Sequence, residues 1–306
     1  MKNNFGPIKK PLPLSPGDTV GIVAPASPFN LTNFNKGLTV LQSLGFKTLL
    51  PNEIFQDEGY LAGSDKSRAN QLIRLLADSR VKGIICARGG FGAMKILPLL
   101  DFDYIQSFTK VFIGFSDITA LLASFVKKCR WVVFHGPNVT TLRNADAKSL
   151  EIFQQAVSGR IPLTIFAPDG NVLFPGVVTG PLMAGNLTTL CHLIGTPYMP
   201  NLNGRILLIE DRGEALYRID RMLTQMKIAG SFDKLAGLAL GGFTDCGTVL
   251  EVESIVAKIF YDCQIPILSG FEVGHNHRNL TLPLGLNATL DTQNRMLSLQ
   301  SCATDS

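Results

Sequence analysis

Apolar residues in the first half of the chain fall into short unbroken runs, separated by stretches of helical periodicity. Residues 19–24 read as a strand, followed by a turn at Pro25-Ala26-Ser27-Pro28. Residues 33–44 read as a helix closed by Gly45, and residues 46–50 as another short strand. Ser64 opens a helix through about residue 77, with Ser67, Arg68 and Arg74 on its polar side. Residues 81–87 form a strand that runs into Arg88-Gly89-Gly90-Phe91-Gly92, and residues 93–100 are helical. The apolar run 111–115 stops abruptly at Ser116, where a helical pattern begins at once, and residues 131–134 add one more strand. Strands alternating with helices predict a parallel sheet covered on both faces. Ligand sites of such sheets lie at the carboxyl ends of the strands. Ser27, Gly89-Gly90, Ser116 and His135 all fall at such ends.

The rhythm breaks at residues 156–180, where prolines and glycines crowd together, and this segment reads as a domain crossing. The predicted organisation is a first domain over 1–155, a linker over 156–180 and a second domain over 181–306. In the second part, a helix over 186–194 is closed by Gly195 and Pro197. A strand over 205–209 ends in Glu210-Asp211, and apolar residues from Ala215 to Met226 recur at helical spacing up to Gly230. Residues 235–240 read as a strand, and the last thirty residues suggest β structure.

Composition narrows the class. The 306 residues are 46% apolar and 17% charged, which supports a substantial core and excludes a disordered chain. The net charge of +4 is modest and its lysines and arginines are scattered, so no nucleic-acid-binding stripe is expected. No run of about 18 apolar residues occurs, so no membrane partner or span is expected. The first sixteen residues lack the apolar core of a secretory signal and read as a flexible leader laid along the surface. The six cysteines, Cys86, Cys129, Cys191, Cys246, Cys263 and Cys302, form no CxxC and read as reduced thiols.

Ser116 carries the sharpest chemical signal. A serine on a strand-to-helix turn exposes its hydroxyl beside free helix N–H groups, as an acyl-transfer nucleophile requires. The same position suits a helix cap, and Ile118 stands where a GxSxG elbow would have glycine. Residues 88–92 read either as a tight turn or as a source of backbone N–H donors. Glu210 and Asp211 are candidates to orient a histidine, or are a solvated strand end. His275 and His277, two apart, suit zinc binding with a carboxylate, or one of them suits the base for Ser116. His135 and His192 are competing bases, His192 lying within an apolar helix pattern that suggests a core histidine.

Seven segments in order resemble the LD-carboxypeptidases, the murein tetrapeptide carboxypeptidase family of serine peptidases. They are Gly21-Ile22-Val23-Ala24-Pro25-Ala26-Ser27, Ala87-Arg88-Gly89-Gly90-Phe91-Gly92, Ile113-Gly114-Phe115-Ser116-Asp117, Phe134-His135-Gly136-Pro137, Ala184-Gly185-Asn186-Leu187, residues 208–211 with 217–223, and Gly274-His275. The resemblance implies a flavodoxin-like parallel-sheet N-terminal domain and a smaller mixed β/α swivelling C-terminal domain. It implies a Ser116–Glu210–His275 triad, with an oxyanion hole from the N–H groups of Asp117 and Gly90. It further implies a cytoplasmic homodimer without metal or cofactor, acting on a small peptide. The bond cut would release the terminal D-alanine of a peptidoglycan tetrapeptide in cell-wall recycling. Arg88 is the candidate, by position, for holding the terminal carboxylate. Microcin-immunity peptidases resemble the same family and cleave peptidyl-adenylates, which is the alternative activity. They carry an aromatic-bearing loop, whereas the single tryptophan here, Trp131, falls in an expected strand. Arg212 departs from the family pattern, either holding Glu210 ionised or reaching into the cleft.

Overall fold

The structure is a computed structural model and describes residues 7–159 and 161–305. The chain contributes fourteen strands in order: β1 (Thr19–Val23), β2 (Lys47–Leu49), β3 (Val81–Cys86), β4 (Val111–Gly114), β5 (Val133–His135), β6 (Thr164–Phe166), β7 (Val172–Phe174), β8 (Val177–Asn186), β9 (Ile206–Arg212), β10 (Gly237–Thr244), β11 (Ile267–Leu268), β12 (Leu282–Leu284), β13 (Asn287–Asp291) and β14 (Met296–Leu299). Two sheets result, ordered β12-β5-β4-β3-β1-β2 and β6-β14-β13-β8-β9-β10-β11-β7.

In the first sheet β2, β1, β3, β4 and β5 are all parallel. That order is the flavodoxin-like one, whose ligand crevice opens where the strand order reverses, beside β1 and β3. These strands read as continuous apolar runs because helices bury both faces: β4 is buried along its whole length. The helix Asp65–Ala77 starts where the Ser64 hydroxyl accepts the Ser67 N–H, and it packs Leu72, Leu75 and Leu76 inward. β12 comes from the end of the chain and pairs antiparallel with β5, so the chain returns to the first sheet after building most of the second.

The second sheet is mixed. β8, β9, β10 and β11 run parallel, flanked by antiparallel strands. Residues 156–180, expected to be a linker, supply both edges of this sheet, β6 and β7. Prolines suit edge strands, which need fewer ladder donors. One contiguous apolar core joins the two sheets.

The leader is held where it is described. Leu14 is buried and donates its N–H to Val157, and Lys9 bridges to Trp131. Its first six residues lie outside the described residues. The six cysteines are free thiols, four of them buried. No helix among the described residues is long and apolar enough to cross a membrane.

Candidate active site

Ser116 follows β4 with φ +65°, left-handed backbone that non-glycine residues avoid. Such strain, about 1–3 kcal/mol, persists only where the surroundings enforce it, and it aims the side chain sharply out of the strand. Ser116 does not cap the helix by its hydroxyl: its Oγ makes no hydrogen bond among the described residues. Gly89 packs directly on it, and a methyl group on Gly89 would lie 2.9 Å from Ser116 Cβ.

The glycine loop after β3 is fixed from both sides. Ser27, after β1, donates its N–H to the Gly89 carbonyl, and its hydroxyl accepts the Phe91 N–H at 3.0 Å. Gly90 takes φ +98°, where a side chain would also strike Ser27. From below, Arg68 donates to the carbonyls of Pro25, Gly63 and Gly92 and pairs with Asp65. Arg68 is fully buried, contrary to the polar-face position expected for it, and burial lowers its pKa while Asp65 opposes that. Among the described residues the N–H groups of Gly90 and Asp117 have no acceptor. The Asp117 carboxylate accepts the Ala93 N–H at 2.7 Å, and burial pushes its pKa up to about 6.

Glu210 lies near the end of β9, fully buried. Its Oε2 meets Nδ1 of His275 at 2.6 Å and accepts the His275 backbone N–H at 3.1 Å. His275 sits in the loop after β11, its ring tilted against the Phe115 ring that precedes Ser116, with centroids 4.8 Å apart. Asp211 faces elsewhere. It accepts from Asn186 Nδ2, from both the N–H and the hydroxyl of Thr188 and from the Arg212 N–H, and burial raises its pKa. It therefore anchors the start of the helix Leu187–Leu193, leaving Glu210 to the histidine.

Ser116, Gly90, Asp117 and His275 line one cleft of about 650 Å³ between the two sheets' strand ends. Phe91, Met94 and Lys95 form one wall, and Thr188, His192 and Glu214 the other. His192 is exposed here, not a core residue; it follows Thr188 by four positions on the helix face turned to the cleft. His135, the other competing base, is fully buried, has no hydrogen-bond partner on either ring nitrogen, and is pushed down to about 3 by desolvation and by His275. It stays neutral and lines neither wall. A larger groove of about 930 Å³ beside Leu14, Phe46 and Thr304 contains none of these groups.

Arg88 departs from its expected place, and Arg212 takes one of its two alternatives. Arg88 is exposed, gives its guanidinium to the Pro28 carbonyl at 2.7 Å and does not line the cleft. Arg212 reaches the cleft mouth and pairs with exposed Asp245 at 3.4 Å rather than with Glu210. The zinc alternative lacks a donor set: no group of three or more His, Cys, Asp or Glu side chains converges among the described residues. Nδ1 of His275 is also already engaged by Glu210.

Two family models match the chain, the LD-carboxypeptidase N-terminal domain over residues 20–136 and the LD-carboxypeptidase C-terminal domain over residues 179–290. The chain belongs to the LD-carboxypeptidase family of peptidases. It is 34% identical to the "Probable murein peptide carboxypeptidase" of Bacillus subtilis (strain 168), over 98% of this chain and 97% of that one. It is 31% identical to the microcin C7 self-immunity protein MccF of Escherichia coli, over 94% of each. A solved structure of microcin C7 self immunity protein MccF matches at TM-score 0.90 and 28% identity, covering 97% of this chain and 99% of that one. The muramoyltetrapeptide carboxypeptidase of Oxalobacter formigenes matches at TM-score 0.81 and 28% identity, covering 92% and 97%.

Proposed function

We propose that this protein is a serine-type LD-carboxypeptidase, a muramoyltetrapeptide carboxypeptidase that releases the terminal D-alanine of L,D-linked murein tetrapeptides. The observation that carries the reading is His275, held by Glu210, sharing one cleft with a strained, unbonded Ser116. His275 takes the Ser116 proton, and Oγ attacks the carbonyl of the bond to D-alanine. Glu210 holds the Nδ1–H tautomer, leaving Nε2 as the base. The N–H groups of Asp117 and Gly90 receive the oxyanion, at about 3 kcal/mol per donor. His275 then protonates the departing amine, and water cleaves the acyl-enzyme. In this reading the first region brings the nucleophile and the second brings Glu210 and His275. The enzyme works without metal in the cytoplasm, as a homodimer, on peptides recovered from the wall. Its unpaired cysteines agree with a reducing compartment.

The test is mass spectrometry of a disaccharide-free tetrapeptide after incubation. Loss of one alanine with the wild type, and none with Ser116→Ala at unchanged melting temperature, is the expected result. Full activity in that variant overturns the triad. Peptidyl-adenylate cleavage is a second reading, favoured by the TM-score of 0.90 to microcin C7 self immunity protein MccF. Parallel incubation with a peptidyl-adenylate separates the two.

A further inference from the structure

A second cavity, of about 210 Å³, lies beside His275, bordered by Phe115, Pro137, Arg143, Arg212 and His277. His275 and Arg212 line this cavity and the larger cleft alike, so the two spaces meet at the imidazole. Ser116 opens onto the larger one only. The two differ in size. Pockets for drug-sized ligands span about 300–1,000 Å³. The cleft of about 650 Å³ falls in that range and suits a peptide, whereas the smaller cavity falls below it and suits one small residue.

They differ also in charge. Asp117, Asp211 and Glu214 line the large cleft beside its cations. Two arginines and two histidines line the small cavity, and no carboxylate does. The Arg143 guanidinium donates to one backbone carbonyl, that of Thr140 at 3.2 Å. Arg212 has one partner, Asp245 at 3.4 Å, and both side chains are largely exposed, at 60% and 65%. Arg278 nearby is fully committed, to Asp146 and to Glu272. Donor capacity therefore remains on Arg143 and Arg212, at the rim of an acid-free cavity.

The geometry points to the small cavity as the site of the departing amino acid, its free carboxylate held by Arg143 and Arg212. This assignment rests on the acyl-transfer reading above. The residue that leaves must lie against the imidazole that protonates its amine. A planar guanidinium matches a carboxylate in two parallel hydrogen bonds, which fixes orientation as well as charge. A one-residue cavity ending in cations also explains why only a terminal residue is removed. A longer departing segment would not fit and would not present its carboxylate there.

The test compares a tetrapeptide with a free terminal carboxylate against the same peptide ending in a carboxamide. The variants are Arg143→Gln, Arg212→Gln and the pair together. Both arginines are exposed, so the variants fold. The wild type is expected to prefer the acid, and each substitution to cut the acid-over-amide ratio of kcat/KM by about 10- to 100-fold, the worth of one hydrogen bond to a charged group. Weaker product inhibition by free D-alanine is expected in the same variants. An acid-over-amide ratio unchanged in the double variant overturns the assignment. If the wild type cleaves neither peptide, the tetrapeptide reading itself falls, and this assignment with it.

Discussion

Glu210 Oε2 receives two hydrogen bonds from a single residue, the ring Nδ1–H of His275 at 2.6 Å and its backbone N–H at 3.1 Å. One oxygen thus fixes both the rotation of the imidazole and the path of the loop that carries it. Glu210 is itself immobile, fully buried on β9 between the parallel neighbours β8 and β10. The loop after β11 has no ladder of its own, and borrows its precision from this carboxylate.

Glu210→Gln keeps the volume but removes the charge and replaces one carboxylate oxygen with an NH2 donor. The glutamine amide cannot hold the Nδ1–H tautomer as a carboxylate does. Loss of the equivalent carboxylate in a serine triad lowers kcat by about 10⁴, and the same order is expected here, with KM little changed. Steady-state kinetics on the tetrapeptide measures it. A loss below about tenfold shows that the histidine is oriented by something else.

Gly274 gives an independent handle on the same contact. It takes φ +94°, and a methyl group there would strike the Glu210 side chain. Gly274→Ala is expected to cost at least about 1 kcal/mol of stability and, by displacing the carboxylate, about 100-fold in kcat. Gly213→Ala is the control, because Gly213 has φ +73° but open space around it. The control shares the backbone cost and keeps kcat. Equal kinetic losses in both would assign the effect to backbone strain alone.

The alternating pattern of the first half made β1 to β5 legible, because strands buried on both faces are continuous apolar runs. It also located Ser116, since a turn between strand and helix is a local event. Three features were not legible. Arg68 shares a helix face with polar residues by spacing, yet its burial depends on the carbonyls of Pro25 and Gly92, distant in sequence, as well as that of nearby Gly63. His192 sits in an apolar pattern, and only the packing of its helix shows that the Thr188 face is turned outward. β12 joins the first sheet across about 150 residues of chain, a pairing that no local periodicity encodes. The helix Val249–Phe260 carries its own local signal, the capping box of Thr248 and Glu251.

Arg68→Met tests how far the oxyanion loop depends on its buried cation. The methionine fills the volume but leaves the carbonyls of Pro25, Gly63 and Gly92 without that donor. The Gly92 carbonyl keeps the Lys95 N–H, and each of the other two unpaired buried acceptors costs about 1–3 kcal/mol, so a loss of at least about 2 kcal/mol is expected. Chemical denaturation checks this. An effect below about 1 kcal/mol would mean that water replaces the guanidinium freely.

Asp117 makes stability depend on pH in a stated direction. Its carboxyl has an ordinary value of 3.8, and burial raises it to about 6 in the folded protein, against the opposing pull of the Ala93 N–H and the Arg68 charge. Below pH 3.8 the folded and unfolded states are both protonated, and the shift costs nothing. As pH rises toward 6 the unfolded chain ionises first, so the folded state loses ground. Above 6 the penalty is complete and constant, about 3 kcal/mol at most. Asp117→Asn removes the charge while its carbonyl oxygen can still accept the Ala93 N–H. The variant should therefore gain on the wild type steadily between pH 4 and 6 and hold that gain to pH 8. Urea midpoints at unit pH steps measure the difference. A difference that stays flat across the range would show that this carboxylate is as well solvated in the fold as in the unfolded chain.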